Sequence, residues 1–223
     1  MINDITSPTP AGWYTIRSKE SGYYQGYHDA KACGDKDNQN NSLSSTLNVG
    51  EMRIILRWPK TNPVTGIDMD AHLSIPDNDS TGTLHLWYGT QSGKDYYIYV
   101  DADDNVTIDK DHKVKSPDNP RGAPPGDETI TITKVRSGTY SFSVHNNTDS
   151  GNDTANYKTN LLRSNTKVKV FYNKEGTLIR KRFYVPNAEG TLWEVFTFDS
   201  SRSGSGFTVV DNMTYEDTAG NVY

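Results

Sequence analysis

The stretch TYSFSVHN, residues 139–146, alternates with a period of two. Tyr140, Phe142 and Val144 point one way; Ser141, Ser143 and His145 point the other. Successive side chains of a strand face opposite sides of the sheet. The segment therefore predicts a half-buried β-strand. Similar runs recur at EMRIILRW (51–58), DAHLSI (70–75), TLHLWYG (83–89), DYYIYVD (95–101) and ETITITKV (128–135). They continue at TKVKVFYN (166–173), TLIRKRFYV (177–185), TLWEVFTFD (191–199) and SGFTVV (205–210). NKEG (173–176) reads as a hairpin turn in which Gly176 can take a positive φ, and RSG (136–138) as another. KSPDNPRGAPPGD (115–127) and NNTDSGNDTANYKTN (146–160) are long polar loops. No convincing helix is present. The expectation is an all-β chain, an antiparallel β-sandwich of roughly eight to ten strands, Ig-like or jelly-roll-like, with long polar loops.

The bulk composition agrees. Apolar residues make up 33% of the 223 residues, but aromatics reach 11%, with 14 Tyr. Large rings bury much area each, so a thin, aromatic core suits two packed sheets. A net charge of -5 excludes nucleic acid as the main partner, because phosphate binding needs a basic surface. No run approaches 18 apolar residues, so membrane insertion is not expected. Cys33 is the one cysteine, which rules out an internal disulfide. MINDITSPTPAG lacks the basic and apolar regions of a signal peptide. It reads as the start of a piece of a longer protein, with a cytosolic start as the alternative. Residues 1–49 read as a β segment and linker, the tail of a preceding domain or an addition to the main sheet. Residues 50–215 form the sandwich domain and 216–223 a C-terminal tail.

Two aspartates interrupt the strand-like run GIDMDAHLSI (66–75), and Asp is depleted in strands. Asp-x-Asp occurs five times in the chain, and Asp outnumbers Glu by 21 to 7. Residues i and i+2 share a face, so Asp68/Asp70 and Asp101/Asp103 each present a carboxylate pair. Paired carboxylates repel unless protonated, hydrated or bridged by a cation. Calcium takes six to eight oxygens in tolerant geometry. If the two strand ends lie side by side, Asp68, Asp70, Asp101, Asp103 and Asp104 converge, and Glu128 supplies a further ligand. The bland alternative is a set of solvated strand-end acids that discourage edge pairing. DNDSTG (77–82) opens like a calcium loop but has Tyr88 at its twelfth place, and reads as a turn.

The residues so far resemble a known family. MRIILRWPKTNPVTGIDMDAHLSIP, LHLWYG, YIYVDADD, GDETITITKVRSGTYSFSVHN, TKVKVFYNKEGTLIRKRFYVP and LWEVFTFD follow, in order, the pattern of the YfaP-like domain of bacterial secreted and surface proteins. The resemblance covers roughly residues 50–215. It implies a cation site at Asp68, Asp70, Asp101, Asp103, Asp104 and Glu128. KTNPVTGI adds residues before the first Asp pair, and RGAPPGDETI replaces a tighter Gly-Pro-Glu-Thr-Ile turn. Residues 12–49 are similar to the second half of a carboxypeptidase-regulatory-like β domain.

Other chemistry is thinly represented. His72 shares a face with Asp70 and reads as a hydrogen-bonded strand residue. There is no His/Cys zinc spacing, nucleophile elbow or phosphate-binding loop. Trp87, Tyr88, Tyr97 and Tyr99 are candidate ligand-binding aromatics; cross-strand pairing is the structural alternative. The expected function is that of a non-catalytic, calcium-stabilised module at the cell surface or outside the cell, with a structural or adhesive role. Its partners would be other surface proteins or polysaccharide. A carbohydrate-binding module is the first alternative and a hydrolase the second.

Overall fold

The computed structural model describes residues 12–24, 26–32, 45–58, 68–77, 82–90, 105–110, 126–149 and 159–222. The chain divides into two compact units, Met1–Thr46 and Leu47–Tyr223. The first unit holds β1 (Gly12–Ser18) and β2 (Gly26–Ala32), an antiparallel pair forming its own two-stranded sheet. The division falls slightly before the boundary expected after residue 49. The second unit runs on through residues 216–222, which were expected to be a tail.

The second unit is an antiparallel sandwich of two five-stranded sheets. Its strands are β3 (Met52–Trp58), β4 (Met69–Pro76), β5 (Thr83–Leu86), β6 (Val106–Lys110) and β7 (Gly126–Ile132). After them come β8 (Thr139–Asn146), β9 (Lys167–Lys174), β10 (Thr177–Tyr184), β11 (Leu192–Asp199) and β12 (Phe207–Thr214). One sheet has the order β10-β9-β3-β7-β6, the other β12-β11-β8-β4-β5. A single helical turn, α1 (Asn160–Arg163), precedes β9. The strand expected at 95–101 lies outside the described residues.

Alternation builds the core. Met52, Ile54, Leu56 and Trp58 of β3 face Met69, Ala71, Leu73 and Ile75 of β4, with Ile130, Ile132, Val168 and Val170 beside them. In β11 the apolar residues Trp193, Val195, Phe196 and Phe198 break strict alternation. A bulge between Glu194 and Phe196 absorbs the extra residue. Trp193 then lies opposite Val144 and Phe196 opposite Phe142, so all four stay buried. Phe196 stacks on Phe142 and Phe183 and meets Phe207 edge-on, with centroids 5.5, 5.0 and 5.3 Å away.

Turns fix the register. Gly176 takes φ +86° in the β9–β10 hairpin, as its sequence signal predicts. Gly206, at φ +75°, enters β12 where a Cβ would lie 2.5 Å from the Asp199 carbonyl. The Tyr140 hydroxyl accepts from the Arg136 N–H at 2.7 Å and donates to its carbonyl at 3.1 Å. That pins the chain where it enters β8. The strand expected through residue 89 stops at Leu86 instead. Thr90 Oγ1 donates to the Trp87 carbonyl and accepts from the Trp87 N–H, winding Tyr88–Thr90 into a 3-10 turn.

Phe196→Ala removes the centre of the ring cluster and leaves a cavity. We expect a loss of about 3–5 kcal/mol in equilibrium urea unfolding, with the strand signature retained in circular dichroism.

Candidate metal centre

Strands β4 and β8 pair with Asp70 opposite His145 and His72 opposite Ser143. Since Met69, Ala71, Leu73 and Ile75 fill the core, Asp70 and His72 lie on the other, outer face of this sheet. His145 and Ser143 lie there too, opposite the core residues Phe142 and Val144. The sequence predicts that face of β8 to be solvated. It is covered: Asp70 is 3% exposed, His72 2% and His145 0%.

The cover comes from two directions. His85 of β5 brings its ring alongside His72, with centroids 5.2 Å apart. Trp87, placed by the 3-10 turn, stacks on both His72 and His85 at 5.7 and 5.8 Å. The segment after β12 folds back from the opposite side. Thr191 Oγ1 accepts from the Glu216 N–H and donates to the Glu216 carbonyl, each at 2.9 Å. Beyond it, Ala219 and Val222 are buried, and Gly220 lies close to the Trp87 ring.

One oxygen of Asp70 and one nitrogen each of His72 and His145 lie within 4.8 Å of one another. The tautomer of His145 follows from its partner. His145 Nε2 sits 2.9 Å from the Glu216 carbonyl, which can only accept, so Nε2 carries the proton. His145 Nδ1 is left with a lone pair, buried and without a hydrogen-bond partner among the described residues. His72 Nδ1 is 3.0 Å from His85 Nε2, and His72 Nε2 is likewise buried without a partner. Burial, reinforced by His85 and His145, pushes the His72 pKa down to about 2. Burial lowers His85, and lowers His145 against the opposing pull of the Glu216 carbonyl and the Glu216 and Asp217 charges. All three rings are therefore neutral near pH 7, the form in which imidazole binds metal.

Of the other candidate residues, Trp87 packs against this cluster and Tyr88 against Trp87, Glu128 and Asp68 are not among its converging ligand atoms, and the rest lie outside the described residues. Glu128 of β7 points into the sandwich on the same side as Ile130 and Ile132, paired opposite core Leu56. Its Oε2 accepts from the Ala71 N–H at 2.7 Å. The β5 ladder reaches only to Leu73, and Glu128 serves the backbone just beyond its end. Asp70 and Glu128 thus approach β4 from opposite faces. Asp68 precedes β4, with its N–H on Thr148 Oγ1 at 2.8 Å and its carbonyl accepting from Asn147. Asp101, Asp103, Asp104, Tyr97 and Tyr99 lie outside the described residues. Trp87 packs on the histidines, and Tyr88 meets its edge at 4.7 Å.

Sequence reasoning passed over His145 and His85. The strand period did place His145 on the same face as Ser143, but the pairing that sets it against Asp70 is not visible within one strand. Also unforeseen is a buried carboxylate, Asp149, held by amide donors from Asn146 and Asn160 at 2.5 and 2.9 Å. It ties the end of β8 to α1.

Glu128→Ala would strand the Ala71 N–H inside the sandwich. We expect a cost of about 1–3 kcal/mol in chemical denaturation, and a smaller one for Glu128→Gln, whose amide oxygen still accepts. No protein-family model matches this chain, and no curated protein matches its sequence.

Proposed function

We propose that the chain is a non-catalytic, cation-stabilised β-sandwich module of a secreted or surface protein, with a structural or adhesive role. The observation that carries this reading is the closure of its most chemically capable cluster. Asp70, His72 and His145 are sealed between the sheet and the C-terminal segment. Groups that substrate cannot reach hold a fold together rather than turn substrate over. Placement outside the cell rests on the motif resemblance to YfaP-like domains alone and is part of this proposal. Edge strand β12 exposes Val209, 61% accessible, beside Val210, an apolar edge suited to contact with a neighbouring protein. Calcium at the carboxylate pairs, Asp68 and Asp70 with Asp101, Asp103 and Asp104, belongs to this proposal.

The carbohydrate-binding alternative needs open rings. Trp87 instead packs on His72 and His85 and beside Gly220. Trp87→Ala is therefore expected to lower the melting temperature and leave retention on a polysaccharide panel unchanged. Chelation is expected to lower the melting temperature by several degrees, roughly the shift that loss of a native-state ligand gives, and a divalent cation to restore it. Melting indifferent to chelator and cation contradicts the reading. So does polysaccharide binding abolished by Trp87→Ala at unchanged stability.

A further inference from the structure

We propose that Asp70, His72 and His145 form a binding site for a borderline divalent transition metal, zinc being the ion to test, and that the metal fastens the C-terminal segment to the sheet. This rests on the cation-stabilised reading above and deepens it by assigning Asp70 to a transition metal held with His72 and His145, in place of calcium at that carboxylate.

Three observations converge. The three ligand atoms already lie within 4.8 Å of one another. With zinc–ligand bonds of about 2.0–2.2 Å, modest inward rotation of the side chains lets a single ion reach all three. Two of the donors, His72 Nε2 and His145 Nδ1, are buried nitrogens without a hydrogen-bond partner among the described residues. Buried polar atoms ordinarily find partners, and a metal supplies one to both at once. Finally, each imidazole is held from behind. The Glu216 carbonyl accepts from His145 Nε2–H, and His85 Nε2 faces His72 Nδ1. Metal-ligating histidines are oriented in this manner by a bond at their other nitrogen.

The donor set selects the ion. Two neutral imidazoles and one carboxylate suit zinc and its neighbours, whereas calcium prefers oxygen throughout. The connection to the C-terminal segment runs through one residue, since the carbonyl that orients His145 belongs to Glu216. Glu216 is in turn clasped by Thr191. Ordering His145 around a metal therefore orders the segment that covers it.

The full chain would be unfolded in chelator, refolded with or without Zn²⁺ or Ca²⁺, desalted, and its metal counted by mass spectrometry. Co²⁺ in place of Zn²⁺ reports imidazole ligation of the wild-type chain through visible d–d bands, so a variant that fails to fold does not decide the matter. The proposal expects one zinc per chain. It also expects Co²⁺ bands of a low-coordinate site and slower hydrogen exchange at residues 216–222 when zinc is bound. His72→Gln and His145→Gln should each weaken zinc binding at least about ten-fold. A folded wild-type chain that takes up no zinc overturns the proposal, as does zinc retained by the His72→Gln/His145→Gln double variant. Stoichiometric calcium with no zinc overturns it too, while leaving the cation-stabilised module standing. Melting that responds to no cation removes both.

Discussion

Strands β4 and β8 are buried on both faces, and the outer face carries polar side chains that must be satisfied away from water. On the inner side the requirement is met by packing: Met69, Ala71, Leu73, Ile75, Phe142 and Val144 meet the facing sheet. On the outer side, burying an unpartnered polar group costs free energy, so Asp70, His72 and His145 need one another, a backbone group or an ion. The neutral histidines, the Glu216 carbonyl behind His145 and the stacking of Trp87 are consequences of that requirement.

The C-terminal segment is what makes the outer face an interior. It is held by backbone and hydroxyl bonds at Thr191 and Glu216 and by the burial of Ala219 and Val222. Edge strand β12 leads directly into it, so the sheet edge and the cover of the cluster are one continuous piece of chain. At the same end of β8, next to His145, the Asn146–Asp149–Asn160 contacts do comparable work for a single buried carboxylate. There, neutral amides take the place that an ion takes in the proposed site.

The fold was legible because it is written in local periods. TYSFSVHN coincides with β8, and Gly176 has the positive φ that its turn needs. Boundaries were lost for two reasons: the side chain of Thr90 closes a local turn that ends the β5 run early, and pairing with β8 and β12 sets the β11 bulge that rescues a segment whose apolar residues do not alternate. β6 (Val106–Lys110), short and polar at alternate positions, left too weak a pattern to be seen. The cluster was only half legible. Asp70 and His72 share a face by spacing alone, but His145 joins them through strand pairing, and the face is buried by residues near the C-terminus that read as a tail. Glu128 shows the converse. Its acidic side chain suggested a ligand, whereas its strand position turns it inward to the Ala71 N–H.

The most direct test is a crystal of the zinc-refolded chain measured on both sides of the zinc absorption edge. The account predicts one anomalous peak bonded to His72 Nε2, His145 Nδ1 and an Asp70 oxygen, with residues 216–222 ordered over it. A map in which those three atoms surround no anomalous density, or in which zinc sits only on surface side chains, would contradict it.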